Sequence, residues 1–347
     1  MTMRFSEITT DKQLWDFMTD PSDRLIDSVS KLDGSIMLLG GSGKMGKELV
    51  GIIRQADKYN GTQREIMVAS TFSDPSGADI SLFESMGVMC FKGDLSNEAF
   101  LNALPDAPNV VYMMGFKFGS SQDWQRAFQL NSVVPYLVGS KYKNAKIVVF
   151  SSGNPYPHTS RSGSGCHEEV PLHPIGIYGW SIVARESSFR ITAEKNPNQK
   201  IAIYRLMYAQ HLNYGVLIDL ARMIQLGESI SQAMPAVNLV SQRDANEVAI
   251  RCVEKCVNNP WIVNVAGSVW QVKDIVSELE KIMNMKAILL DDAGELALLA
   301  NDSRSIETFG SYRDHVKDMI KGAARWVEND GSYWHKPTLF GRAKHDY

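Results

Sequence analysis

Residues 35–48 read SIMLLGGSGKMGKE: a short apolar run, glycines at 40, 41, 43 and 46, and then the start of an amphipathic stretch. No other feature limits so strongly what this chain can fold into. An apolar run that stops at glycines is how a buried parallel strand reads. The stretch after it places Met45, Leu49, Ile52 and Ile53 at the spacing of one helix face. A glycine turn between strand and helix lets the backbone approach a pyrophosphate, whose charge then sits at the helix N-terminus. Gly40, Gly43 and Gly46 give G-x-x-G-x-x-G, and Gly41 opens an overlapping G-x-G-x-x-G. Two other readings compete. Gly41 to Lys47 also fits G-x-x-x-x-G-K, but a P-loop needs Ser or Thr next, and Glu48 stands there, a carboxylate aimed at the phosphate side. The third reading is a turn that serves strand–helix packing alone.

The pattern repeats down the chain. Apolar runs at 65–71, 109–115, 145–152 and 199–207 read as further buried strands, with helical stretches between them, notably 121–142 and 178–194. Such alternation predicts a Rossmann-type, doubly wound parallel sheet with helices on both faces. We expect residues 1–33 to form an N-terminal helical extension of one or two short helices, and 34–207 the dinucleotide-binding domain. From about Tyr208 helical segments dominate, so 208–330 reads as a smaller mixed α/β substrate domain, parts of which return to the first. The tail, 331–347, is aromatic and basic, and Tyr333, Trp334 and Phe340 suit it to covering a partner subunit or the substrate cleft.

Composition narrows the function. The net charge of −3 and the lack of a Lys/Arg tract argue against a nucleic-acid partner. No run approaches the roughly 18 apolar residues of a membrane span, and the N-terminus has no secretory pattern. Four cysteines in 347 residues make no disulfide framework, and Cys252 and Cys256 read as reduced packing residues. A cytoplasmic protein is therefore expected. His158, His167 and His173 gather in one region, with Cys166 beside His167 and His211 beyond the next strand, but no pair has the short spacing of a zinc motif, so no metal site is expected. They read as surface-loop histidines, with His158 or His211 the alternative candidates for a proton donor.

Several segments together resemble the extended short-chain dehydrogenase/reductase family, the NAD-dependent sugar epimerases and dehydratases, over residues 35–330. GDL at 93–95 is similar to the family's adenine-contacting turn, which makes Asp94 and Leu95 cofactor candidates beside Gly40, Gly43, Lys44, Met45, Gly46 and Ser70. MMGFKFG, 113–119, resembles the segment that passes beside the cofactor, adding Met114, Gly115 and Lys117. QLNSVVPYLV places Asn131 at the family's structural asparagine, and FSSGNPYP places Ser152 at its catalytic serine. HEEVPLHPIGIYGWSIVARE aligns Tyr178 with the catalytic tyrosine, which also borders the cofactor, and Glu186 with the closing acid. Gly153 and Asn154 stand where the family's dehydratases carry an Asp-Glu pair, so epimerisation or simple dehydrogenation is the implied chemistry. The resemblance implies NAD or NADP as cofactor, a small carbohydrate-like substrate, and a homodimer. The end of the second strand, Ser70-Thr71-Phe72, carries neither the acid that favours NAD nor a base for a 2′-phosphate.

One residue breaks the pattern. The family has a lysine four residues after the tyrosine, on the same helix face. Here position 182 is isoleucine. A cation about 4 Å from a phenol is worth roughly 4 kcal/mol at an effective dielectric near 20, or nearly three pKa units. Without it Tyr178 returns toward its unperturbed value near 10, unless another cation substitutes. Lys117 and Arg185 are the two candidates, Lys117 the favoured one, and either could instead be a solvated surface cation. The competing functional reading is a non-catalytic cofactor-binding sensor.

Overall fold

The computed structural model describes residues 3–73, 76–336 and 338–341. Its centre is a seven-stranded, wholly parallel sheet. In chain order the strands are β1 (Ile36–Leu39), β2 (Ile66–Ser70), β3 (Met89–Lys92), β4 (Asn109–Tyr112), β5 (Lys146–Ser152), β6 (Lys200–Leu206) and β7 (Trp261–Val265). In space they run β7-β6-β5-β4-β1-β2-β3. The order reverses between β1 and β4, and the crevice beyond the carboxyl ends at such a point is where open α/β sheets bind ligands.

Alternate residues of each strand feed two cores, as the pleat requires. Ile36, Leu38, Val68, Val111, Val148 and Tyr204 join one cluster with Leu49, Ile52 and Ile53 of the Gly46–Tyr59 helix. Met37, Leu39, Met67, Val110, Val149 and Ile203 join the other with Val138 and Phe189, from the Val134–Lys141 and Gly176–Lys195 helices. The strands thus read as continuous apolar runs because both of their faces are covered.

The sequence expectations for β1, β2, β4, β5 and β6 hold, with ends trimmed by one to three residues. β3, whose side chains are all half-buried or exposed, is not among those expectations, although Val88 to Phe91 is a run of four apolar residues. Residues 261–267, WIVNVAG, which lie within the expected substrate domain, supply β7, the sheet's edge beside β6. The Gln242–Arg251 helix likewise packs Ala245, Val248 and Ala249 into the first cluster. KAILLD contributes only the two-residue strand Ile288–Leu289.

A third cluster forms the second lobe. It joins the Val216–Leu226, Val272–Met283 and Val316–Glu328 helices to a small sheet in which Ala236–Ser241 lies between Tyr208–Gln210 and Ser268–Gln271. The N-terminal extension holds a 3₁₀ turn, Phe5–Glu7, and two helices, Asp11–Met18 and Asp23–Ser30. It is no appendage ahead of the fold: Phe5, Ile8, Leu14, Phe17 and Met18 are buried in the second lobe, and Leu25 and Val29 in the first. Cys252 and Cys256 are free, buried thiols in the first cluster. Among the described residues no helix is long and apolar enough to cross a membrane, and no cluster of His, Cys, Asp or Glu is suited to a metal.

Candidate functional site

The glycine loop follows β1 and opens the Gly46–Tyr59 helix. Gly40 has φ +85°, and a Cβ there would lie 2.7 Å from the Met114 backbone, where β1 and β4 leave the sheet side by side. A Cβ on Gly46 would lie 1.9 Å from the Gly41 carbonyl oxygen, so the helix sits directly on the turn. At Gly43 the nearest atom would be 3.5 Å away. These are the three tasks a dinucleotide cradle gives its glycines: a tight turn, a bare backbone facing the ligand, and close helix packing. Glu48 does not face the phosphate side. It is buried, with Oε1 3.5 Å from Nε2 of His211 and Oε2 accepting from Nε2 of Gln242 at 3.4 Å. That disposes of the P-loop alternative, since no magnesium ligand follows Lys47 and the carboxylate points away.

Beyond the loop lies a cleft of about 320 Å³ whose lining includes Gly40, Gly43, Lys44, Met45, Lys117 and Tyr178. Six of the residues expected from the sequence therefore meet in one place. The Gly176–Lys195 helix carries Tyr178 against β5, and Gly179 permits the approach: a Cβ there would be 2.8 Å from the Asn154 carbonyl oxygen. Ser152 ends β5. Its hydroxyl donates to Oδ1 of Asn154 at 2.8 Å and accepts the Asn154 N–H at 3.2 Å. It also shares a hydrogen bond with Tyr178.

Burial raises the Tyr178 phenol above its ordinary pKa, and the Arg185 guanidinium and the Ser152 hydrogen bond partly offset that. Arg185 is not a solvated surface cation. It is buried, with Nη1 donating to the Phe150 carbonyl at 2.8 Å and Nη2 to Oδ1 of Asn131 at 2.5 Å. Lys117 is half-buried, its Nζ 5.6 Å from the Tyr178 ring centroid. Burial, helped by repulsion from Lys44, pushes its ammonium down to about 7. Lys44 itself is pushed down to about 8, chiefly by burial, and its Nζ lies 3.4 Å from the Tyr214 ring centroid. Ile182 is fully buried and offers the site nothing polar.

Asn131 holds this arrangement without lining the cleft. Its Oδ1 also accepts the Phe116 N–H at 3.0 Å, while Nδ2 donates to the Phe116 carbonyl at 2.8 Å and to Oγ of Ser181 at 2.9 Å. It therefore ties the segment carrying Lys117 to the helix carrying Tyr178, as a positioning residue. Glu186 lies further back, accepting from Ser151 at 2.6 Å and from Arg205 in a buried ion pair at 2.7 Å.

The residues expected at the far end of a dinucleotide are dispersed by comparison. Ser70 ends β2 with its hydroxyl 2.6 Å from that of Ser42. Asp94 accepts the Ser96 N–H at 2.8 Å and pairs with Arg126 at 3.6 Å, while Leu95 is a core residue. Gly115 is exposed, and a Cβ on it would meet Nη2 of Arg185 at 2.7 Å. His211 is buried, contrary to the surface-loop expectation, with Nδ1 accepting the Asn213 N–H at 3.1 Å. His158 is half-buried and His167 pairs with Glu169 at 3.0 Å on the surface.

The cleft is also lined by residues that the sequence reading did not single out: Tyr214 and Thr338, Gln242 at the start of the Gln242–Arg251 helix, and Phe150 of β5. The one local hint is the mix of aromatic and polar residues in QHLNYGV, 210–216, which holds Tyr214 alone of the four.

No protein-family profile matches the chain. No curated protein matches it by sequence. The fold is shared with sugar-nucleotide epimerases. The UDP-glucose 4-epimerase of Thermotoga maritima, with UDP-glucose, superposes with a TM-score of 0.70 at 15% identity, over 85% of this chain and 99% of the other. The UDP-Glc/GlcNAc 4-epimerase of Campylobacter jejuni gives 0.67 at 19% identity, over 85% and 99%. The UDP-glucuronic acid 4-epimerase of Bacillus cereus, in complex with UDP-glucuronic acid and NAD, gives 0.67 at 16%, over 85% and 99%.

Proposed function

We propose that the protein is an NAD- or NADP-dependent oxidoreductase or epimerase. Its substrate would be a sugar, a sugar nucleotide or a related hydroxy compound. One observation carries the reading: Tyr178, bonded to Ser152, borders the same cleft as the bare backbone of Gly43, at the sheet's switch point. The glycine turn fits a pyrophosphate, because its middle glycine leaves room that a side chain would fill. Similarity of fold to epimerases solved with NAD supports the same cofactor class.

A bound dinucleotide supplies the hydride acceptor at its nicotinamide ring. The chain's residues do the rest. Gly40, Gly43 and Lys44 hold the pyrophosphate end. Ser152 and Tyr178 bind the substrate oxygen, and Tyr178 takes or returns its proton. Arg185 and Lys117 take the place of the lysine missing at 182. Arg185 is a permanent buried charge whose field lowers the Tyr178 pKa. Lys117 is a cation that neutral pH only partly charges. We further propose a homodimer through the 124–141 and 176–195 helices, which expose Trp124, Val133, Trp180 and Ile191. Size-exclusion chromatography with light scattering tests that, and a monomer at micromolar concentration refutes it.

A second reading, a cofactor-binding sensor without turnover, draws on the buried Ile182 and the raised Tyr178 phenol. The two are separated by absorbance in the reduced-cofactor band while a panel of sugars and sugar nucleotides is added. A change that a Tyr178→Phe substitution diminishes by about 10²–10⁴-fold supports the enzyme. Tight dinucleotide binding with no change across the panel supports the sensor.

A further inference from the structure

The described part of the C-terminal tail does not trail away from the molecule. Ser332 accepts at its carbonyl from Nε1 of Trp326 at 2.9 Å, and at its hydroxyl from Nδ2 of Asn213 at 2.6 Å. The Trp334 N–H donates to the Asn213 carbonyl at 3.1 Å. Its indole lies nearly parallel to the His211 ring at 4.9 Å and to the Tyr214 ring at 6.1 Å. Tyr214 in turn carries the ammonium of Lys44, from the glycine loop. Thr338 then donates from its N–H and its hydroxyl to Oδ2 of Asp219, at 2.7 and 2.6 Å, and forms part of the cleft wall with Gly40, Gly43 and Tyr178. Residues 337 and 342–347 lie outside the described residues.

Resting on the dinucleotide reading above, we infer that the segment bearing Trp334 and Thr338 is a strap across the mouth of the cofactor cleft. A bound dinucleotide enters or leaves only when Trp334 lifts off His211 and Tyr214. Trp334 itself is held by two ring contacts and one backbone hydrogen bond, while Tyr333 and Phe340 pack on the core of the second lobe, so the opening is a local one that leaves the core folded. Its anchors on the second lobe are Trp326 of the Val316–Glu328 helix, Arg222, and the stretch between His211 and Asp219. Trp334 also reaches the glycine loop through a single intermediary, Tyr214.

The consequence is chemical. An epimerisation returns the hydride to the substrate it came from, so the cofactor ends each cycle as it began and need not exchange. A net dehydrogenation leaves a reduced cofactor that must leave before the next cycle. A strap that slows exchange therefore favours epimerisation at this site.

The test is stopped-flow measurement of NADH and NADPH association and dissociation in the full chain, in Trp334→Ala, and in a chain ending at Ser332. A gate hinders entry as well as exit. Both rate constants should therefore rise about tenfold or more in the two variants, with Kd moving by less than koff. Thr338→Val, which keeps the backbone bond to Asp219, should show the same pattern at a few-fold. Circular dichroism and melting curves identify any variant that has lost its fold, and Thr338→Val then decides. Rates within twofold of wild type overturn the strap. So does a rise in koff alone with an equal loss of affinity, which is the mark of a lost ligand contact. Failure of the wild-type protein to bind either dinucleotide overturns the cofactor reading, and the strap with it. Binding with ungated rates overturns the strap alone.

Discussion

Ile182 carries the sharpest question in this chain. Its side chain is fully buried, and Arg185, one turn further along the same helix, is buried too. Reinstating the lysine by Ile182→Lys should therefore not rescue an active site. It would bury a second cation one turn from a first, while Glu186, the carboxylate one turn along the helix, is already paired with Arg205, and an uncompensated buried charge costs about 3–5 kcal/mol. A large drop in melting temperature with no gain in turnover is the expected result, and an active, stable variant would contradict it. Lys117 gives a prediction in pH. Its burial favours the neutral form, so the site holds this cation below about 7 and loses it as pH rises through that value. A bound anion favours the charged form and moves the transition upward. Dinucleotide affinity, measured calorimetrically, should thus fall along a limb that begins at or above neutrality. Lys117→Arg should remove that limb, because a guanidinium keeps its charge throughout. An identical pH profile in wild type and variant would assign the limb to another group, with Lys44, pushed down to about 8, the next to examine.

Among the elements, the glycine turn was the most legible, because a strand, a tight turn and a helix each leave their own mark within fourteen residues of sequence. The parts assigned to its glycines can be separated. Gly46→Ala places a methyl against the Gly41 carbonyl and should destabilise the protein by at least about 2–3 kcal/mol in denaturant titration. Gly43→Ala meets only ordinary contacts, so it should leave the midpoint near wild type while weakening dinucleotide binding roughly tenfold, about 1.4 kcal/mol. Equal effects on stability at the two positions would mean that Gly43 serves packing too. The buried strands were legible for a related reason, since a strand covered on both faces must be apolar throughout. β3 is the exception: Val88 to Phe91 is an apolar run, but it is only four residues long, and the strand's own residues are half-buried or exposed at the sheet's edge. The cleft shows the same division. Lys117 and Tyr178, with Ser152 behind them, could be found because the segments that carry them resemble family motifs. Tyr214, Gln242 and Thr338 could not, because they arrive from segments whose docking on the first lobe is decided by tertiary packing. The burial of His211 and Glu48 against each other belongs to that same interface and has no local signature.

At the scale of the whole molecule, the first thirty residues change what the two lobes can do separately. Phe5 and Phe17 meet edge-to-face at 4.9 Å inside the second lobe, and the Arg243 guanidinium lies 3.7 Å from the Phe17 ring. Ser6 donates to Asp318 at 2.5 Å on the Val316–Glu328 helix. A few residues on, Ser22 donates to Glu247 at 2.5 Å on a helix of the first lobe, and Arg313 pairs with both Asp20 and Glu247 at 2.7 Å. One short segment is therefore a structural part of both cores. Two lobes connected only by a linker would melt apart, each with its own midpoint. Lobes that share a buried segment lose contacts together when either opens, which makes unfolding a single cooperative event. Differential scanning calorimetry should accordingly record one transition whose calorimetric and van't Hoff enthalpies agree. Phe17→Ala, which empties about one aromatic side chain from the second lobe, should lower that single transition by the equivalent of about 3–5 kcal/mol. The loss should be equal whether unfolding is followed through the second lobe or by hydrogen exchange at β1 and β4. Two resolved transitions in the wild type, or a Phe17→Ala effect confined to one lobe, would show that the extension decorates the fold and does not join it.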